Sequence, residues 1–315
     1  MKMKHFPIRQ LNLSPIGLGT WRLGSYGEHP NESLKYGLES GINVIDTAES
    51  YAFGYAERLV GEAIKGYRRE DLFIISKVLP NRLNIIDYAL QSVKNLGTRM
   101  DLYLLHSPHI AEGTLKDRLI QMEQAIDMGL TRYIGVSNFT VKQIMEARSL
   151  LSKYDIIAVE NKLNVFDKYW FDTVEYCQRE GLAFFSYTSL DTGRVMNNNY
   201  VKRIGLRYGK TPIETALNWL IHIPNVVALC KIGHPEHLSG LLGALDWEMD
   251  KSDWQLLKDY DGVDGYSIFY WNLLKANIKY YLTPHLFRIY ADYYKNPKKL
   301  YGYIKGTFWK RKHHL

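Results

Sequence analysis

Apolar residues over the first 265 positions alternate between two patterns. Short, nearly continuous apolar runs recur at 15–19, 42–46, 72–77, 102–106, 133–137, 156–160, 182–187 and 226–231, eight in all. Stretches such as Ile156-Ile157-Ala158-Val159 and Ala183-Phe184-Phe185 carry no polar alternation, which is how strands covered on both faces read. Between the runs the apolar spacing widens to three and four. Over 140–151, Val141, Ile144, Ala147 and Leu151 share one helical face, with Lys142, Glu146 and Arg148 off it. Thr211 and Pro212 open a further helix as N-cap and first-turn proline, ahead of Ile213, Ala216, Leu217 and Leu220. Eight strands alternating with helices predict a parallel α/β sheet, and at 315 residues a closed (β/α)8 TIM barrel with an appendage matches the length. A doubly wound sheet would want Gly-x-Gly-x-x-Gly after its first strand. The glycine cluster here reads Gly17-Leu18-Gly19-Thr20-Trp21-Arg22, and no P-loop occurs.

Composition changes the picture at one place. The chain is 46% hydrophobic and 23% charged, a globular composition with material for a large core. Its net charge of +7 is not evenly spread: residues 266–315 hold ten Lys and Arg against Asp292 alone, a balance of +9, together with fourteen aromatics. The preceding 265 residues carry 30 basic and 32 acidic groups, a balance of −2. Two domains are therefore expected, a barrel at 1–265 and a basic, aromatic C-terminal extension at 266–315, and the high pI belongs to the extension. No run of about 18 apolar residues lacks charge, and the start has no apolar core of a signal peptide, so the expected address is the cytoplasm. Cys177 and Cys230 stand far apart without zinc-ligand spacing, which argues for buried thiols and against a metal site.

In a barrel, functional side chains stand at the C-terminal strand ends. Those ends are Thr20 and Trp21, Asp46, Lys77, His106, Ser137 and Asn138, Glu160 and Asn161, Tyr187, and Lys231. Taken singly, Asp46 reads as a turn residue, Lys77 as a snorkelling strand end and His106 as a satisfied core histidine. A carboxylate, an amine and an imidazole closing three successive apolar strands are costly to bury unless they meet across the barrel mouth, and convergence is the simpler account.

These residues also carry a resemblance. Gly17-Leu18-Gly19-Thr20-Trp21, Asn43-Val44-Ile45-Asp46-Thr47-Ala48-Glu49-Ser50-Tyr51, Ile75-Ser76-Lys77, Leu105-His106 and Gly135-Val136-Ser137-Asn138-Phe139 resemble the aldo-keto reductases, over about four fifths of the chain. The resemblance implies a barrel that binds a nicotinamide dinucleotide without a Rossmann domain and an enzyme that exchanges hydride between NAD(P)H and a carbonyl. It places Tyr51 as proton donor, Lys77 as the cation that lowers the phenol pKa, Asp46 as the partner of Lys77, and His106 as the group that orients the carbonyl.

For the cofactor, the resemblance assigns Gly19 and Thr20 to the binding surface, Ser137 and Asn138 to the carboxamide, and Tyr187, followed by Leu190, to the nicotinamide ring. Glu160 falls where the family usually has Gln; a carboxylate accepts from the amide NH2 but cannot donate to its oxygen. At the adenosine end Lys231 or His234 would face a 2′-phosphate, although the family's common arginine is absent and Leu241 stands where Asn often contacts adenine. NADPH is favoured, with NADH as the alternative. Trp21 and Tyr26 are expected to contact substrate, with Phe53 and Tyr55 completing an aromatic wall for an aldehyde, a ketone or a sugar.

Within the extension, from Phe269 onward, Trp271, Leu274, Ile278 and Tyr281 recur at spacings of three, four and three, and Pro284 breaks the pattern. Such a helix packs on the barrel, lies peripherally on an anionic membrane surface, or, third in order, binds single-stranded nucleic acid without sequence specificity. Two function classes follow: a reductase of a small-molecule carbonyl, or a cofactor-binding regulatory or scaffold protein acting through its tail. The full set Asp46, Tyr51, Lys77 and His106 favours the reductase, because a module that only binds has no use for proton transfer.

Overall fold

The computed structural model describes residues 6–8, 11–23 and 30–262. Tyr26 and the extension at 266–315, with its expected amphipathic helix, lie outside the described residues. A hairpin of β1 (Phe6–Ile8) and β2 (Leu11–Leu13) precedes β3 (Ile16–Gly19), β4 (Val44–Asp46), β5 (Phe73–Val78), β6 (Met100–Leu105), β7 (Thr131–Ser137), β8 (Ile156–Lys162), β9 (Ala183–Tyr187) and β10 (Val226–Lys231). From β3 to β10 each strand pairs in parallel with the next, and β10 closes on β3 to complete the eight-stranded barrel. All eight expected strands are present, with ends displaced by at most two residues.

The helices that alternate with the strands begin where side chains can cap them. Thr140 opens Val141–Leu150: its Oγ1 accepts from the Gln143 amide at 3.4 Å, and Gln143 Oε1 accepts from the Thr140 amide at 2.9 Å. Thr211 and Glu214 make the same reciprocal pair ahead of Pro212–Ile221. Each pair satisfies two amides that the first turn leaves without a helical acceptor. Ile144 and Ala147 bury their side chains in the core layer between helices and strands. Cys177 and Cys230 are buried free thiols.

A second core fills the barrel itself. Val44, Phe73, Ile75, Leu102, Leu104, Ala158, Ala183, Phe185, Val227 and Leu229 meet inside, with Phe73 and Phe185 stacked at 6.1 Å. Burying each of the larger side chains contributes roughly 1.5–3 kcal/mol. Gly135 sits at a register shift between β7 and β8, and a Cβ there would come within 2.5 Å of the Ala158 carbonyl oxygen, so only glycine allows the two strands to approach.

Leu11 and Leu13, both buried, belong to this interior cluster and close the end of the barrel from which β3 starts. The hairpin was not visible in the sequence, because Leu11-Asn12-Leu13 alternates over only three residues.

Strand parity then fixes what lies above the apolar layers. Side chains alternate between the two faces of a strand, so stepping by two from the interior residues brings Asp46 after Val44, Lys77 after Ile75, His106 after Leu104, Glu160 after Ala158, Tyr187 after Phe185 and Lys231 after Leu229. The residues at the strand ends thus face inward as one ring.

Candidate active site

Lys77 is the hub of that ring and is fully buried. Its Nζ donates to Asp46 Oδ1, to the Thr47 carbonyl at 2.9 Å and to Tyr51 Oη at 3.4 Å. Glu160 Oε2 lies 3.4 Å from the same nitrogen. Burial alone would lower the Lys77 pKa, but Asp46, Glu160 and Tyr51 hold it above the ordinary value, so the ammonium is charged. Burial likewise raises Asp46, opposed by Lys77.

Tyr51 follows β4 at the head of a tight turn, Tyr51–Gly54, in which Ala52 and Phe53 both adopt left-handed backbone at φ 48° and 55°. The turn brings the phenol back over Lys77, and the Tyr51 ring meets His106 edge-on at 5.9 Å between centroids. The sequence reading had Lys77 bring the phenol pKa below its usual value. Lys77 does pull in that direction, but burial outweighs it and Asp46 and Glu160 push the same way as burial, so the Tyr51 phenol lies above its ordinary value and is neutral. His106 is pushed down to about 3 by burial and by Lys77, leaving a neutral imidazole; its Nδ1 is buried without a hydrogen-bond partner.

A second group is tied to the first through Asn138. Its Nδ2 donates to the His106 carbonyl at 2.9 Å and to Ser137 Oγ at 3.0 Å, while its Oδ1 accepts from Tyr187 Oη at 2.7 Å. Its own amide donates to Asn161 Oδ1 at 2.6 Å, and Asn161 Nδ2 reaches the Phe139 carbonyl at 2.9 Å. Asn161, named from sequence only as a strand end with no role of its own, bonds the amide of Asn138, whose φ is positive at 65°. Burial, with Glu160, pushes the Tyr187 phenol up to about 12. Leu190 is half-buried against the outer core.

The remaining candidates stand further apart. Gly19 pairs with Asp46 and with Lys231 in the barrel register. Thr20 donates its amide to the Asp46 carbonyl at 3.0 Å and keeps a buried Oγ1 without a partner. Lys231 is exposed and its Nζ donates to the Arg22 carbonyl at 2.8 Å. His234 is half-buried, its ring edge-on to His237 at 5.3 Å. Trp21 is half-exposed beneath the Arg22 guanidinium, whereas Phe53 is 98% exposed and Tyr55 44%, so these last two line no enclosed wall in this structure.

Backbone strain gathers at the same end of the barrel. Of eight described non-glycine residues with positive φ, Arg22, Ala52, Phe53, Asn138, Thr188, Asp191 and Thr192 follow barrel strands, and only Asn225 precedes one.

A phenol and a neutral imidazole stand over a buried ammonium–carboxylate pair at the mouth of the eight-stranded barrel. The chain belongs to the aldo/keto reductase family, whose model matches residues 15–261. It is 29% identical over 269 residues to methylglyoxal reductase YeaE of Escherichia coli (strain K12), covering 81% of this chain and 94% of that protein. Among solved structures it resembles a thermostable aldo-keto reductase in complex with the inhibitor epalrestat, at 35% identity and a TM-score of 0.74 over 79% of this chain and 96% of that one. It also resembles an aldo-keto reductase from Klebsiella pneumoniae in complex with NADPH, at 27% identity and a TM-score of 0.74 over 84% and 97% of the two chains. The chain is thus an oxidoreductase of the NAD(P)H-dependent, carbonyl-reducing kind.

Proposed function

We propose that the chain is an NADPH-dependent reductase of a small aldehyde or ketone in which Tyr51 is the proton donor. The observation that carries this reading is the contact of Lys77 Nζ with Tyr51 Oη at 3.4 Å above a buried Asp46. The residues present fit a nicotinamide dinucleotide: Thr20 Oγ1 is a buried hydroxyl without a protein partner, and Ser137, Asn138 and Tyr187 form a fixed polar cluster beside His106. Ser137, Asn138, Tyr187 and Leu190 would hold the nicotinamide end, with Gly19 and Thr20 beneath it and Lys231 and His234 toward the adenosine. When bound, the reduced cofactor supplies the hydride.

The chain's own residues handle the proton. As the carbonyl oxygen gains charge, Tyr51 donates its proton, and the phenolate that remains is stabilised by the Lys77 ammonium. His106, uncharged, orients the carbonyl by a hydrogen bond without competing as an acid. Asp46 keeps Lys77 charged and in place.

NADPH is favoured over NADH because the Klebsiella pneumoniae relative was solved with NADPH and Lys231 offers a cation at the adenosine end. A small aldehyde is the substrate class in keeping with the methylglyoxal reductase relative. The cytoplasm is the proposed location; among the described residues no helix is long and apolar enough to cross a membrane. The balance of +9 over residues 266–315 supports peripheral contact of that segment with an anionic membrane surface, and no observation favours a purely regulatory protein.

The test is oxidation of NADPH by the purified full-length protein with a panel of small aldehydes, followed by absorbance. Turnover that is lost in Tyr51→Phe, with NADPH binding kept, supports the reading. Absence of turnover with every aldehyde and ketone, or a Tyr51→Phe variant as fast as the parent, overturns it.

A further inference from the structure

Glu160 stands in the proton-transfer cluster without the partners an ionised carboxylate needs. An ammonium has three N–H donors, and those of Lys77 go to Asp46, the Thr47 carbonyl and Tyr51. Glu160 Oε2, 3.4 Å from Nζ, receives none of them and is buried without a hydrogen-bond partner, in a residue only 2% exposed. A carboxylate there would share the Lys77 ammonium, at ion-pair distance, with Asp46 and would have no hydrogen bond to Oε2, so one cation would have to offset the desolvation of two buried carboxylates. As a carboxylic acid, Glu160 suits the same surroundings: its hydroxyl is free to donate toward the neighbouring Asp46 carboxylate, and Oε2 faces the Lys77 ammonium at 3.4 Å.

We propose that Glu160 is an uncharged carboxylic acid that leaves the charge of Lys77 available to Tyr51, which makes Glu160 a positioning residue for proton transfer and its ionisation an alkaline limit on carbonyl reduction. This rests on the reading of Tyr51 as proton donor. With Glu160 neutral, Asp46 and Lys77 cancel, and the phenolate left by Tyr51 adds one negative charge. With Glu160 ionised, the same buried cluster would hold two uncompensated negative charges after proton donation.

The neighbours point the same way. Around Glu160 stand Asp46 from β4, Tyr51 from the turn after it, Lys77 from β5 and Tyr187 from β9. Burial and then Asp46 hold the Glu160 carboxyl well above the usual carboxylate range, with only Lys77 opposing. Tyr51 and Tyr187 are both raised, with Glu160 among the causes, and His106 carries no charge near neutrality. The departure from the family's Gln thus keeps a neutral side chain at this position, with the proton on Glu160 and Asp46 accepting its hydrogen bond.

The experiment has two readouts. In isotope-edited infrared spectra of the full-length protein near neutral pH, a protonated-carboxyl C=O band is expected that moves when glutamate is 13C-labelled and disappears in Glu160→Gln. In a pH profile of kcat for aldehyde reduction, the alkaline fall of the parent is expected to move up by about one pH unit or more in Glu160→Gln, roughly a tenfold gain in relative rate on that limb. No labelled-glutamate acid band, or a band present with an unmoved alkaline limb, overturns the proposal. If Glu160→Gln does not fold, the labelled band of the parent, and its loss as pH rises in step with kcat, decides instead. Absence of turnover in the parent at every pH would overturn the reductase reading, while the infrared band would still report the charge of Glu160.

Discussion

Tyr187 Oη donates to Asn138 Oδ1 at 2.7 Å, tying the end of β9 to the loop after β7. The bond fixes the orientation of an asparagine amide whose other end reaches the His106 backbone carbonyl, so the proposed nicotinamide cluster is anchored to the strand end that carries His106. Tyr187→Phe keeps the ring and removes only the donor. It is expected to lower stability by about 0.5–1.5 kcal/mol and to weaken NADPH binding, as read by a denaturant midpoint and a fluorescence titration. Unchanged binding would show that the orientation of Asn138 does not matter to the cofactor.

Lys77→Met leaves Asp46 and Glu160 buried with no cation. Removing one member of a buried ion pair costs about 3–5 kcal/mol, and activity should be lost as well. The pH dependence has a definite sign. Both carboxyls already lie above their ordinary values in the folded parent, and without Lys77 they rise further. The folded variant therefore holds protons that the unfolded chain releases, and its stability falls as pH rises from acid toward neutrality. A variant whose unfolding free energy is flat or rising over that range contradicts the account.

His106 contributes in the opposite direction. In the unfolded chain its imidazole takes a proton near pH 6.5, whereas in the fold it does so only near 3, so between these values the unfolded state binds more protons. Stability from this group is present above pH 6.5 and is lost as pH falls through the window. Compared with the parent, His106→Gln should lose less stability between neutrality and pH about 4, measured by urea unfolding. Parallel slopes would show that the imidazole is not held neutral.

Lys231→Ala separates the two cofactors. If the lysine faces a 2′-phosphate, the variant weakens NADPH by about 1.5–3 kcal/mol and leaves NADH nearly untouched. Its present bond to the Arg22 carbonyl offers the other outcome: equal losses for both cofactors would mark a lysine that braces the loop after β3.

The barrel was legible because strands buried on both faces have no polar alternation to confuse the pattern, and because parity turns a list of strand ends into a ring. Asp46, Lys77 and His106 could be placed from sequence for that reason. Tyr51 lies outside the strands, at the head of a turn whose next two residues, Ala52 and Phe53, adopt left-handed backbone that neither favours, so local pattern does not place its phenol over Lys77. Glu160 was read as a cofactor contact from its place in a motif. Its relation to Lys77 depends on two strands meeting across the barrel, 83 positions apart in the chain, where local pattern carries no information. The hairpin at the other end was too short for its alternation to register.

Residues forced into left-handed backbone each cost about 1–3 kcal/mol, and all the described non-glycine ones except Asn225 are collected in the loops above the strands and not in the staves below them. Heat should act on those two regions in sequence. The loops can release their strain by local rearrangement while the parallel strands and the plugged lower end stay intact. Thermal inactivation is then expected several degrees before the loss of far-ultraviolet circular dichroism, and an enzyme cooled from that interval should recover its turnover.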